Sequence, residues 1–241
     1  MRIAEDSSDY PKVTHPVSEG GLGFDYKWDM GWMNDTLRYF KVDSMNRRDY
    51  QTNINFSMYY FYNEKFLLPL SHDEVVHLKK SMIDKMNGSY EDKFKQLKVL
   101  MTYQMTHPGK MLNFMGNEIA TFEEWNENVG IRWEYLDYPI HDGYNRFVKD
   151  LNKLYKDEKA FYKYDYDQDG FVWRVVDDNT NSVFAYERIA DGDRYLVILN
   201  MANVYQPYYE IYYDEDLVFE EVFNSLDEKY GEYRNNKRRI E

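Results

Sequence analysis

The chain has 241 residues, 43% of them hydrophobic, and a formal net charge of −13 from 30 basic and 43 acidic residues. This apolar content excludes an intrinsically disordered chain, and the length suits one large domain or two ordinary ones. The negative charge makes nucleic acid and anionic membranes poor partners, and it favours a soluble protein that acts on a neutral substrate.

Cysteine is absent, so we expect neither a disulfide framework nor a thiolate metal site. The five histidines are scattered, and His72 and His77 lack a third ligand at metal-site spacing, so no metal site is expected. No apolar run reaches the roughly 18 residues that a membrane span requires. The first ten residues do not resemble a signal peptide, and the sequence therefore predicts a cytoplasmic protein.

The first region of the chain alternates strands and helices. It begins with a very short predicted strand, Ile3-Ala4, which is followed at once by Glu5. Residues 10–32 are rich in glycine, proline and aromatic residues and are predicted to form a loop. Residues 34–46 and 53–62 are predicted to be helical or irregular.

The apolar run Phe66–Leu70 predicts a buried strand that stops abruptly at Ser71, His72, Asp73 and Glu74. Four polar side chains at the end of an apolar strand cost free energy unless they find partners. The carboxyl end of a strand is where (β/α) barrels carry their chemistry. A strand that simply ends in a solvated loop gives the same pattern, so this segment alone does not decide between the two.

A helix is predicted to begin at the capping-box pattern of residues 89–92 and to end at residues 107–109. A second buried strand is predicted over 111–115, ending at residues 116–118. Strand, helix and strand within about 50 residues predict a βαβ crossover and a parallel sheet. A last helix is predicted over residues 143–157. The helix that begins at residues 89–92 has an apolar stripe formed by Phe94, Leu97, Leu100, Met101 and Met105.

From about residue 165 the pattern changes to strands alone. The polar stretch 163–170 ends in a glycine and divides the chain into two predicted domains, 1–162 and 163–241. Turn signals at 177–179 and 190–193 fall at hairpin distance. Five strands are predicted to form a small antiparallel β domain, over 171–176, 182–189, 194–202, 208–213 and 218–224.

Three predicted strands of the first region end at acidic residues, Glu5, Asp73 and Glu118. Because parallel strands place their carboxyl ends on one rim, these side chains are candidates to converge. Glycoside cleavage needs such carboxylates, one to protonate the leaving oxygen and another to attack or to stabilise an oxocarbenium-like transition state. Binding of Mg²⁺ is the rival use of this rim, and capping of the following helices is the structural alternative.

Four segments carry a family resemblance. Residues 3–37, LPLSHDEVVH (68–77), HPGKMLNFMGNE (107–118) and EWN (124–126) resemble the bacterial-type glycogen branching enzymes of the α-amylase superfamily. The resemblance covers most of the chain, to about residue 200, with the motifs in the family's order. An ordinary α-amylase would not be expected to carry the GLGFDYKWDMGWMNDTL run within the first of these segments.

The resemblance implies an α/β fold followed by an all-β domain. Residues 1–162 would supply strands five to eight, the C-terminal half of a (β/α)8 TIM barrel, and residues 163–241 the superfamily's C-terminal domain. Glu5 occupies the position of the general acid/base at the end of strand five. Asp73 occupies that of the third catalytic carboxylate at the end of strand seven, and His72 that of the histidine that hydrogen-bonds the same sugar.

Trp28, Asn117 and Glu118 are weaker candidates for substrate binding. Trp28 is placed to stack on a glucan, but core packing explains a tryptophan equally well. Asn117 and Glu118 follow a strand, where capping of the next helix is an alternative role.

The implied activity is that of a glycosyltransferase of glycogen biosynthesis that retains anomeric configuration. Glu5 would protonate the glycosidic oxygen of an α-1,4 glucan while a nucleophilic aspartate attacks the anomeric carbon. Glu5 would then act as the base on the 6-hydroxyl of an acceptor chain, which yields an α-1,6 branch. The partner is an α-glucan such as glycogen or amylose, and no cofactor is implied.

Two departures from the family pattern qualify this interpretation. The nucleophile is expected on strand four, yet only four residues precede Glu5. We therefore expect the chain to be the C-terminal portion of a branching enzyme, inactive by itself and prone to self-association through open barrel edges. Leu78 stands where the family typically has glycine, and we expect its side chain to crowd the loop.

Two other functions are compatible with the sequence. One is a non-catalytic or degenerate glucan-binding fragment that keeps the rim of the site without the nucleophile. The other is a different α-amylase-superfamily amylase or transglycosylase, which the run that ends at Leu37 disfavours.

Overall fold

The computed structural model describes residues 1–213 and 216–231, which form a parallel and an antiparallel sheet with their connecting helices. The parallel sheet has four strands and the antiparallel sheet has three. In chain order the elements are β1 (Ile3–Ala4), β2 (Tyr26–Trp28), α1 (Met30–Lys41), α2 (Thr52–Asn55), β3 (Phe66–Leu70), α3 (Tyr90–Thr106), β4 (Lys110–Asn113), α4 (Pro139–Asp157), β5 (Phe171–Asp178), β6 (Val183–Ala190) and β7 (Asp193–Asn200).

The strands of the parallel sheet lie in chain order, β1-β2-β3-β4. Ala4 pairs with Lys27, and Lys27 pairs in turn with Phe66. Because α3 connects the parallel strands β3 and β4, the predicted βαβ crossover is confirmed. The prediction of a loop over residues 10–32 was wrong at Tyr26–Trp28, which form β2. Three residues are too few to show a strand periodicity, and it is the neighbouring strands that hold β2 in place.

α3 begins as the sequence predicts. The Ser89 hydroxyl accepts a hydrogen bond from the Asp92 N–H (3.2 Å), and the Asp92 carboxylate accepts one from the Ser89 N–H (3.4 Å), which completes a capping box. The helix ends at Thr106 because His107 precedes a proline and adopts an extended backbone. The predicted apolar stripe is buried along its whole length, from Phe94 to Met105.

The other helices begin earlier than the sequence predicts. α1 begins at Met30, because the Asp29 carboxylate caps it, and α4 begins with Pro139 in its first turn. The segment 53–62 is irregular, as one of the predicted alternatives stated, and combines the end of α2 with two short 3-10 turns. Within residues 1–213 and 216–231, none of the helices combines the length and the apolar composition of a membrane span.

β4 differs from the predicted buried strand over 111–115. It ends at Asn113, and its residues are half-buried or exposed. The reason is its place in the sheet, since β4 is an edge strand that pairs with β3 alone among the described strands. Phe114, just after the strand, still donates its backbone N–H to the Leu70 carbonyl at the end of β3 (2.9 Å).

The antiparallel sheet has the order β5-β6-β7 and confirms three of the five predicted strands and both predicted turns. The segments 208–213 and 218–224 were predicted as strands and are not strands in the structure. Residues 208–213 contact β5 through side chains instead of a backbone ladder: the Tyr209 hydroxyl donates to the Asp178 carboxylate (2.7 Å), and the Arg174 guanidinium lies over the Tyr213 ring. Residues 214, 215 and 232–241 of the predicted domain lie outside the described residues.

Two buried arginines connect the antiparallel sheet to the helical part of the chain. Arg188 on β6 is fully buried, pairs with Asp165 (2.6 Å) and donates to the Thr106 carbonyl at the end of α3 (2.7 Å). Arg47 donates to the Met201 carbonyl just after β7 (2.8 Å). A single cluster of buried apolar side chains runs from the α-helices into β6 and β7, so the antiparallel sheet is packed against α3.

Candidate functional site

The carboxyl ends of the four parallel strands share one edge of the sheet. Glu5 follows β1, Asp29 follows β2, Ser71 follows β3 and Phe114 follows β4. Because all four strands run in one direction, the residues that follow them emerge on the same side. Every acidic residue that the sequence singled out therefore lies at this edge or in a turn just beyond it.

His72 and Asp73 lie side by side after β3. The buried Ser71 hydroxyl accepts a hydrogen bond from the Asp73 N–H (3.2 Å) and so caps the 3-10 turn His72–Val75. The His72 Nε2 and Asp73 Oδ1 atoms are 3.3 Å apart, and both side chains are nearly half-exposed, at 45% and 47%. The structure thus presents an imidazole and a carboxylate together at the open edge of the sheet.

An aromatic wall flanks His72. The centroid of its ring lies 5.8 Å from those of both Phe114 and Trp125, and those two rings meet edge to face at 5.3 Å. The backbone N–H of Trp125 donates to the Val75 carbonyl (2.9 Å), which links this wall to the turn that carries Asp73. Phe114 was not among the predicted site residues. The only signal for it in the sequence was its position inside the HPGKMLNFMGNE segment.

The loop after this turn has an unusual backbone. Leu78 adopts the left-handed conformation with φ of 65°, and its side chain is 95% exposed. The expectation that this side chain crowds the loop was therefore wrong, since it points into solvent. The disadvantage of leucine over glycine at this position lies in the backbone, because a Cβ makes left-handed φ values unfavourable.

Glu5 is exposed at the end of β1, and its neighbour Asp6 makes the local contacts. The Asp6 carboxylate accepts hydrogen bonds from the Ser8 N–H (3.0 Å) and hydroxyl (3.0 Å) and pairs with the Lys27 ammonium (3.0 Å). These contacts, the Ser8 N–H first and Lys27 next, lower the pKa of Asp6 to about 2. Glu5 and Asp73 follow strands two places apart, roughly 10 Å across the sheet, and no hydrogen bond joins them among the described residues.

Asp29, which follows β2, is buried. Its carboxylate accepts hydrogen bonds from the Trp32 N–H (2.8 Å) and the Tyr60 hydroxyl (2.8 Å). Burial raises the pKa of Asp29 to about 6, against the opposing effect of these two hydrogen bonds. The residue acts as the cap of α1, a role that the sequence analysis did not assign.

The three weaker candidates have local partners. Asn117 is buried and its amide donates to the Asn113 side chain (2.9 Å), while the Glu118 carboxylate accepts from the Gly116 N–H (2.7 Å). Both contacts stabilise the turn after β4. Trp28 is half-buried in β2. An open cavity of about 510 Å³ lies at the opposite, amino end of the strands, beside Tyr26 and Lys65, and includes none of the candidate site residues.

Comparison with known proteins finds relatives that match nearly the whole of this chain. It is 46% identical over 233 residues to the 1,4-alpha-glucan branching enzyme GlgB of Halothermothrix orenii, a match that covers 96% of this chain and 37% of the enzyme. The corresponding enzyme of Geobacillus stearothermophilus is 43% identical over 237 residues, 98% of this chain and 37% of the enzyme. The chain matches the C-terminal portion of 1,4-alpha-glucan branching enzymes. It spans about a third of the length of these curated relatives.

A family model matches the last part of the chain, and two solved structures share its fold. Residues 173–241 match the alpha amylase C-terminal all-beta domain. Two solved structures have a similar fold: a debranching enzyme of Nostoc punctiforme from an acarbose-soaked crystal, and AmyP in complex with maltose. The TM-scores are 0.58 and 0.53, at 12% identity in both cases, and the matches cover 83% and 74% of this chain and 41% and 40% of those structures. At this identity the likeness supports the fold alone.

Proposed function

We propose that this chain forms the acid/base side of the active site of a 1,4-alpha-glucan branching enzyme of cytoplasmic glycogen biosynthesis. The observation that carries the proposal is the joint placement of Glu5, His72 and Asp73 at the carboxyl edge of one parallel sheet. This placement occurs in a chain 46% identical to a branching enzyme over 96% of its length. Its substrate is an α-glucan, and no cofactor is required.

We further propose that β1 to β4 are strands five to eight of a (β/α)8 barrel and that residues 163–241 form the C-terminal all-β domain. Four adjacent parallel strands in chain order, with α1 and α2 between β2 and β3 and α3 between β3 and β4, follow the repeating arrangement of such a barrel. Barrel enzymes carry their catalytic groups at the carboxyl ends of the strands, which is the edge where Glu5 and Asp73 lie.

In this mechanism Glu5 protonates the glycosidic oxygen while a nucleophilic aspartate outside residues 1–241 attacks the anomeric carbon. Exposure suits Glu5 to this role, because it must meet a large polysaccharide and later accept the proton of an acceptor 6-hydroxyl. Asp73 and His72 bind the hydroxyls of the sugar at the cleavage point and favour its distorted transition state. The half-exposed pair, 3.3 Å apart, offers one acceptor group and one imidazole to adjacent hydroxyls.

The test is a chimera in which these 241 residues replace the matching third of the Halothermothrix orenii enzyme. We expect the chimera to branch amylose, measured by loss of iodine absorbance and by α-1,6 linkages in the product. Glu5→Gln removes the proton that the leaving oxygen needs and should abolish branching. Asp9→Asn, a matched change at an exposed acid in the same loop, should leave it intact. A folded chimera that branches equally well with Glu5→Gln contradicts the proposal.

A polypeptide limited to these 241 residues should be inactive by itself, because the proposed nucleophile lies on another strand. The same iodine assay tests this point with the purified polypeptide. Edge strands such as β4 would leave backbone groups unpaired, so we expect the isolated polypeptide to self-associate. Light scattering should report a mass above that of a monomer, and a monodisperse monomer would count against self-association.

A further inference from the structure

The loop that continues from Asp73 is held in a strained backbone. Among residues 76–80, His77, Leu78 and Lys80 all adopt left-handed φ values, of 55°, 65° and 69°. None of the three is glycine, so each pays a steric cost for its Cβ. Three such residues within four positions persist only where the surrounding structure holds them, and such strain gathers at functional sites.

Lys85 stabilises this loop from inside the protein. Its side chain is buried, and its ammonium donates to the carbonyls of Glu74, Lys79 and Lys80, the last at 2.6 Å. An ammonium has three N–H groups and no acceptor, so the three carbonyls use all of its donors. A buried amine without such partners would be costly, so the three hydrogen bonds explain how Lys85 is accommodated inside the protein.

The other side of the loop is held from the surface. The Glu124 carboxylate accepts hydrogen bonds from the N–H groups of Leu78 (3.0 Å) and Lys80 (2.6 Å). The adjacent Trp125 N–H donates to the Val75 carbonyl. Lys80 is therefore held twice, through its carbonyl by Lys85 and through its N–H by Glu124. The Lys79 ammonium donates to the Asp73 carbonyl (2.9 Å), which links the loop back to the site.

We propose that Lys85 is a positioning residue of the glucan site: by binding the carbonyls of Glu74, Lys79 and Lys80 it fixes the turn that presents His72 and Asp73. The inference rests on the function proposed above. Lys85 does not reach substrate; it acts through the Glu74 carbonyl, which belongs to the same 3-10 turn as His72 and Asp73. Nothing in the sequence around Lys85 marks it for this role, since it lies in a turn among the buried apolar residues Met82, Ile83 and Met86.

The first experiment measures the loop in the 241-residue chain without any glucan. Hydrogen exchange with mass spectrometry compares the wild type with Lys85→Met, which keeps most of the length of the side chain and removes its donors. We expect peptides that contain Leu78 and Lys80 to exchange about tenfold faster, while peptides within α3 keep their rates. Lys85→Arg retains a buried cation and should keep most of the protection. The matched control is Lys95→Met, at an exposed lysine on α3.

Unchanged exchange of the loop in Lys85→Met overturns the inference, and so does a loss of protection spread evenly over the chain. If Lys85→Met fails to fold, Lys85→Gln serves in its place, because it keeps two of the three donors. Its loop peptides should then show an intermediate increase in exchange, and wild-type rates would again overturn the inference.

The second experiment uses the branching chimera. Lys85→Met should lower kcat by about tenfold to a hundredfold, because a small misplacement of a catalytic group has effects of this size. KM should change by less than about threefold, and Lys85→Arg should restore most of kcat. Unchanged kcat in Lys85→Met contradicts the positioning role. An inactive wild-type chimera whose loop still depends on Lys85 contradicts only the proposed function, so the two failures are distinguishable.

Discussion

Asp29 and Asp73 follow neighbouring strands of one parallel sheet, yet the structure uses them in opposite ways. Asp29, after β2, is 1% exposed and accepts hydrogen bonds from Trp32 and Tyr60. Asp73, after β3, is nearly half-exposed and stands beside His72. The first carboxylate begins a helix, and the second is presented to solvent at the edge of the sheet.

An acid after a strand is therefore not by itself a sign of catalysis. What separates the two positions is the next element of the chain. α1 begins directly after Asp29 and covers it, whereas a 3-10 turn and a strained loop follow Asp73 and leave it open. The contacts of Lys85 and Glu124 maintain this open geometry.

The largest expected effect separates the two acids by activity. In the branching chimera, Asp73→Asn should reduce turnover by about a thousandfold, because the lost charge no longer favours the transition state. Asp29→Asn should reduce it no more than about fivefold, since asparagine caps helices nearly as well as aspartate. Rates from the iodine assay check both values. Equal losses in the two variants would show that Asp29 and Asp73 do not differ in function.

The second prediction concerns the pH dependence of stability. Burial raises the pKa of Asp29 from 3.8 to about 6, so the folded chain holds this proton more tightly than the unfolded chain. The resulting stabilisation is complete below about pH 4 and is lost as the pH rises through 6. Two pKa units correspond to about 3 kcal/mol of unfolding free energy.

Asp29→Asn should remove this dependence. Urea unfolding of the wild type and the variant at pH 4 and pH 7 measures the difference. We expect the variant to gain stability relative to the wild type between these values, by up to about 3 kcal/mol. Parallel pH profiles of the two proteins would show that burial does not perturb Asp29 in this way.

The third prediction tests the aromatic wall beside Asp73. Trp125→Ala removes a half-buried ring that contacts His72 and Phe114, and should lower the free energy of unfolding by about 2 kcal/mol. Trp133→Ala, at a tryptophan that is 56% exposed, should lower it by less than about 0.5 kcal/mol. Urea unfolding provides the measurement, and similar losses in both variants would argue against a specific role for the wall.

The smallest effect is expected at Leu78. Leu78→Gly relieves the left-handed backbone and loses no packing, because the side chain is 95% exposed. It should raise the free energy of unfolding by about 0.5 kcal/mol after the entropy cost of glycine is included. Leu78→Ala keeps the strain and should leave stability unchanged. A gain as large in Leu78→Ala as in Leu78→Gly would point away from backbone strain.

Local signals in the sequence predicted much of the first region. The capping box at Ser89 and the proline at 108 set the limits of α3, because both act within a few residues of chain. β3 was visible as five consecutive apolar residues, all buried in the structure. β2 and the absence of a strand over 208–213 were not predictable in this way, since strand formation depends on a partner that is distant in sequence.

The order of residues within short motifs is enough to relate this chain to branching enzymes and to mark Glu5, His72 and Asp73 as candidates. Only the folded chain shows that Asp29 is buried, that Leu78 points into solvent, and that Lys85 and Glu124 hold the loop beside Asp73. Burial and hydrogen bonding between segments up to about 50 residues apart set these outcomes, and a local pattern carries no record of them.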